Sequence, residues 1–195
     1  MFGMGKQSKK DNFQEIIDSI NLGLNNKNYI AALGMALTIP DICGKLEYGD
    51  IGNGQRYQNW YKNFIMSATS KLEWNEYPNG ERFPQIKPDF DADIIYKLRC
   101  QFLHEGEITS DDLQKKFKDD SVDFELVLGI PNENGTRLPT SQLAEIQNGG
   151  KAKLELIINV EELCELLAKK GMEFHDENLQ LFSNYKGLSK LEKEY

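Results

Sequence analysis

The sequence is poor in several residue types, and each shortage excludes something. Its 195 residues include three cysteines and two histidines. Cys43, Cys100 and Cys164 are odd in number, far apart and set among apolar neighbours. That pattern excludes a disulfide framework and a cysteine zinc site and leaves buried, reduced thiols. No apolar run approaches the roughly 18–20 residues of a membrane span. The opening MFGMGKQSKKDNFQ has no apolar stretch behind its lysines, so it does not read as a secretory signal. The expectation is a cytoplasmic protein without membrane contact. Positive charge is also scarce: 23 Lys and Arg face 31 Asp and Glu, a net charge of −8. Nonspecific grip on nucleic acid draws most of its affinity from phosphate contacts. Any RNA must therefore meet a local basic site on a surface that otherwise repels it.

What remains suffices for one domain with a real core, at 39% hydrophobic and 10% aromatic residues. Residues 1–11 read as a loose arm. Phe13, Ile16, Ile17, Ile20 and Leu24 recur at helical spacing and predict a first amphipathic helix. A second helix is predicted from Tyr29 through Leu46. Pro40 either kinks it or, with Asp41, opens a new helix after Thr38 or Ile39. Tyr48–Gly54 is a glycine loop without the lysine of a phosphate cradle. Tyr57, Trp60, Tyr61, Phe64, Ile65 and Ala68 define a third helix whose aromatic face has the spacing of a buried stripe.

Residues 69–90, with Pro78, Pro84, Pro88 and Gly80, read as a long connection that either covers a pocket or wraps the bundle. A fourth helix enters through Asp89 or Asp91 and runs to Gly106, and Thr109–Asp112 opens a short turn or helix. Over 121–158 the character changes, because Asp123–Gly129 and Ala152–Ile158 alternate as strands do. A last amphipathic helix starts at Asn159 or Val160, and 180–195 is a charged tail. The expected fold is mainly α, a bundle of about five helices with a two-stranded β-hairpin insert at 121–158, with 1–195 forming a single domain.

The chemistry concentrates on the fourth helix, which carries Arg99 and His104. At about 100° per residue the two side chains stand roughly 140° apart on an ideal α-helix. They converge only if the helix ends near Leu103, or if two copies of it meet across a twofold axis. His175, among Glu173, Asp176 and Glu177, reads as a solvated surface residue.

The Arg-x-x-x-x-His spacing on a late helix of a small bundle resembles the signature of the HEPN superfamily (higher eukaryotes and prokaryotes nucleotide-binding). The strings TIPDICGKLE (Thr38–Glu47) and YKLRCQFLHEG (Tyr96–Gly106) also look like segments of bacterial proteins of unassigned role. The resemblance implies an all-helical homodimer and a metal-independent endoribonuclease or its degenerate relative. Its setting would be a bacterial toxin–antitoxin or antiphage system, with RNA as substrate, a protein such as an antitoxin as partner, and no cofactor. Carried onto this sequence, it makes Arg99 the phosphate-binding residue and His104 the general acid–base. By composition alone, Glu105 or Asp41 is the carboxylate expected to orient the imidazole. The sequence departs from the pattern at Cys100, where the family is usually polar, and lacks the tyrosine that some active members carry two places after the histidine.

A structural reading stands beside the catalytic one. Arg99 pairs with a carboxylate of a neighbouring helix, His104 sits favourably at a helix C-terminus, and the chain is a non-catalytic interaction or regulatory module. A third reading takes 69–90 as the lid of a small-molecule sensor.

Overall fold

The computed structural model describes residues 11–183 and Tyr185, apart from 106–108, 133, 135, 137, 138, 148 and 149. The loose arm expected for 1–11 lies outside the described residues except for Asp11, as do Gly106 and, in the charged tail, residues 184 and 186–195. Asp11 caps the first helix, α1 (Asn12–Asn25), by accepting from the backbone N–H of Phe13 and Gln14, and Gln14 reciprocates. Such a capping box satisfies donors that the first helical turn leaves unpaired.

The Tyr29–Leu46 stretch breaks as one of its two expectations had it. α2 (Tyr29–Ala36) ends, and α3 (Ile39–Tyr48) opens with Pro40 in its first turn. Among the described residues, Tyr29–Tyr48 is the stretch long and apolar enough to span a bilayer by composition, which the reading of short apolar runs overlooked. It is divided between two helices, and half of its apolar window is buried in the core. Gly49 and Gly52 adopt positive φ in the following loop, the conformation glycine takes without steric cost. α4 (Asn53–Phe64) then buries Tyr57, Trp60 and Tyr61 as the aromatic stripe predicted.

The mainly-α expectation is wrong, because the fold mixes helices with two sheets. Residues 69–90 are an antiparallel hairpin of β1 (Lys71–Glu76) and β2 (Arg82–Lys87), turning where Tyr77 N–H donates to Glu81 O at 2.8 Å. Pro84 in mid-strand disguised it, since proline removes a ladder donor and argues against a strand. The expected two-stranded insert is a three-stranded sheet of order β3-β5-β4. β3 (Val122–Gly129) runs parallel to β5 (Ala152–Asn159), so those two strands cannot be a hairpin. The segment joining them holds β4 (Ser141–Ile146), antiparallel on the far side of β5. Its residues, Ser-Gln-Leu-Ala-Glu-Ile, include types depleted in strands, and pairing with β5 overrides them.

α5 (Ala92–Cys100) lies between two cores. Ile95 and Leu98 join the bundle core with Phe13, Leu33 and Trp60, whereas Ile94 joins the sheet core with Val122, Leu154 and Leu156. Asp91 secures its entry. One carboxylate oxygen caps the helix through the N–H groups of Asp93 and Ile94, and the other accepts from Ser70 N–H at 2.8 Å and Lys116 Nζ at 2.9 Å. Lys116 belongs to α6 (Asp111–Phe117), so one buried carboxylate ties the start of α5 to the hairpin strand and to the next helix. α7 (Val160–Glu177), capped by Asn159, and the single turn α8 (Leu179–Phe182) close the bundle.

His175 is not at the surface. It is 1% exposed, stacks on Phe13, and binds Asp11 Oδ2 through Nε2 at 2.7 Å and Asp176 Oδ1 through Nδ1 at 2.9 Å. The helix α7 turns it toward the α1 cap, which sequence spacing did not reveal. Burial opposes its protonation, but the two carboxylates outweigh this and hold its pKa above the ordinary 6.5. Asp11 is also resisted by burial, yet its backbone bonds and His175 draw it below 3.8. A raised histidine stabilises the fold fully below 6.5 and loses that contribution as pH rises through its folded value. The lowered aspartate works in reverse: its contribution is present above 3.8 and lost as pH falls through its folded value. The stability difference between wild type and His175→Phe, measured by chemical denaturation across a pH series, is therefore expected to peak on the acidic side of 6.5. It should shrink in alkali and below 3.8; a flat difference would refute the charged pair.

Candidate functional site: the Arg99–His104 pair

Arg99 stands in the last turn of α5 and His104 in the π-helical turn Gln101–Glu105 that extends it. A π-turn bonds i to i+5 where an α-helix bonds i to i+4, so residue i+5 comes to stand over residue i. With that turn following α5, Arg99 Nη1 meets His104 Nε2 at 2.6 Å within one chain. Neither anticipated route, a helix end or a twofold partner, brings them together here. The contact also fixes chemistry. A guanidinium only donates, so Nε2 is the acceptor and the proton of the neutral ring sits on Nδ1.

Asp41 of α3 holds the arginine. Its Oδ2 accepts from Arg99 Nε at 2.9 Å and lies 2.8 Å from Nη2, leaving Oδ1 outside this pair. The arginine and aspartate side chains are 16% and 18% exposed, whereas His104 is exposed. Partial burial pulls the Arg99 pKa down, but the charge and hydrogen bond of Asp41, helped by Cys100, more than offset this and raise it. Asp41 thus acts on Arg99 and makes no described contact with the imidazole it was proposed to orient. The side chain of Glu105 lies outside the described residues.

Two neighbours were not assigned to the site from the sequence. Tyr96, three positions before Arg99 and so on the same helical face, packs its ring 5.3 Å from that of Tyr57. Its pKa is raised first by burial and next by a hydrogen bond to Cys100. Cys100 is half-buried, unlike the fully buried Cys43 and Cys164, and it helps raise the pKa of both Tyr96 and Arg99. The i−3 and i+1 offsets from Arg99 were the available signal. Behind them, Tyr57 Oη is buried without a hydrogen-bond partner among the described residues, and its pKa is raised by burial and then by the Asp41 charge.

The π-turn packs on α2 where that helix is thinnest. A Cβ placed on Gly34 would lie 3.5 Å from the Phe102 ring. Two concavities lie elsewhere. A groove of about 380 Å³ runs between the hairpin and β4, and a cleft of about 550 Å³ opens beside Phe90. The 69–90 segment lines both of these. Among the described residues no three His, Cys, Asp or Glu side chains converge to hold a metal. The chain matches no family model, no curated protein and no solved structure.

Proposed function

We propose that this chain is a HEPN-like endoribonuclease, or a degenerate relative of one, that cleaves RNA without a metal. The observation that carries the reading is the 2.6 Å contact between Arg99 Nη1 and His104 Nε2 beside an exposed surface. A phosphodiester approaching this end of α5 would exchange that contact for its own. The remaining N–H groups of Arg99 would bind the scissile phosphate, with Asp41 holding the planar fork in place. Freed of its donor, Nε2 presents a lone pair to the ribose 2′-hydroxyl and takes its proton. The 2′-oxygen bonds to phosphorus, the bond from phosphorus to the 5′-oxygen breaks, and that oxygen takes a proton from water while the imidazolium returns its proton to solvent. The products are a 2′,3′-cyclic phosphate and a 5′-hydroxyl. Because the substrate supplies the nucleophile, the scheme assigns a metal no part.

On this reading the protein works in the bacterial cytoplasm, as a homodimer, within a defence or toxin–antitoxin system whose protein partner restrains it. A second reading is favoured by the Asp41 ion pair, which satisfies two donors of Arg99. There the pair is structural, and the chain is a non-catalytic interaction or regulatory module. Incubating the full chain with single-stranded and structured RNA in EDTA separates the two. Cleavage leaving cyclic-phosphate and 5′-hydroxyl ends is expected, and intact RNA throughout would leave the interaction module standing.

A further inference from the structure

A cleft lies at the opposite end of α5, where Phe90 leads into the helix cap. The cleft of about 550 Å³ there falls within the range of about 300–1,000 Å³ that small-molecule sites occupy. Tyr61, Ile65, Phe90 and Leu163 give it an apolar wall, and Leu166 on its rim is a large apolar side chain left 37% exposed. Three charged residues line it as well: Lys87, Asp89 and Glu162. Counting +1, −1 and −1, the lining is net acidic by one charge.

The lysine is directed elsewhere, since its Nζ lies 3.8 Å from Glu73 on the neighbouring strand. Asp89 accepts from the Gln142 side-chain amide, and Glu162 accepts from Thr140 N–H at 3.1 Å. Among the described residues neither carboxylate has a Lys, Arg or His within ion-pair distance. Two acidic groups with only neutral donors, set at an aromatic and aliphatic wall, are complementary to a cation carried on an apolar body. A ring or short chain would cover Tyr61, Phe90 and Leu166, and an ammonium would meet the two carboxylates. The same carboxylates repel a nucleotide or any phosphate, so the site is distinct from the one proposed for RNA.

We infer that this cleft binds a small amphipathic amine, an organic cation with an aromatic or aliphatic body. The test uses the full chain, without RNA, and two commercial probes of like shape and opposite charge, phenethylamine and 3-phenylpropanoate. Titration calorimetry or ligand-observed NMR is expected to show the amine binding about tenfold or more tightly than the acid, a difference of about 1.4 kcal/mol. Asp89→Asn with Glu162→Gln should abolish that preference. Should this double variant lose the wild-type thermal midpoint, Leu166→Glu gives a second test on the rim, where the added carboxylate should widen the preference for the amine over the acid. Equal binding of amine and acid to the wild type, or no binding of the amine at about 1 mM, would overturn the proposal. Cleavage of RNA has no bearing on either result.

Discussion

Replacing His104 with alanine is expected to lower the rate of RNA cleavage in EDTA by roughly 10²–10⁴-fold, the contribution of a positioned general acid–base. His104 is exposed and its ring packs into no core cluster, so the thermal midpoint should stay near that of wild type. Arg99→Lys probes the other half. A lysine keeps the charge but, as a single-nitrogen point charge, has no planar fork to grip Asp41 and a phosphate from separate nitrogens at once. Its activity should fall while Arg99's ion pair is replaced by a weaker one. Wild-type activity in His104→Ala would refute the mechanism, whereas loss of activity accompanied by unfolding would not count for it.

Gly44→Val is expected to destabilise the protein by about 1–3 kcal/mol, the usual cost of forcing bulk into a packed contact. A Cβ at Gly44 would stand 2.7 Å from the backbone oxygen of Arg56 and 3.5 Å from Trp60 Cβ. Backbone cannot rotate out of the way, so α3 and α4 must separate. The gain from replacing glycine inside a helix with valine is only a few tenths of a kcal/mol, too little to offset the clash. At about 2–4 °C per kcal/mol for a chain of this size, the thermal midpoint should drop by about 2–12 °C. Asp41 rides on α3 three residues earlier, so its grip on Arg99 should loosen in the same variant. Gly34→Ala is the control. Its new methyl meets Phe102 at an ordinary 3.5 Å, and it should be neutral or stabilising by up to about 1 kcal/mol. If the two variants melt alike, the close approach at Gly44 is not what holds these helices together.

Those contrasts mark where sequence pattern was sufficient and where it failed. The α5 helix was legible because local signals agree: Asp91 caps it, and Ile94, Ile95 and Leu98 repeat at helical spacing. The aromatic stripe of α4 and the restart at Pro40 were legible for the same kind of reason. β1, β2 and β4 were not, since lysine, glutamate, glutamine and a central proline give no strand signal, and their pairing partners supply the order. The candidate pair was half legible. Spacing singled out Arg99 and His104, but the π register that joins them has no residue type of its own. Nor could any local pattern join Asp41 to an arginine 58 positions later or bring His175 to the first helix cap. Such contacts are set by which helices pack together.

Gln142 shows a different economy. Its side-chain amide donates to Ile86 O and accepts from Ile86 N–H, both at 2.7 Å, so a β4 side chain takes the place of a neighbouring strand's main chain. An unpaired strand border is a template on which foreign chains can polymerise. By occupying both hydrogen-bonding groups of Ile86, this glutamine leaves neither of them open to a foreign strand at that position.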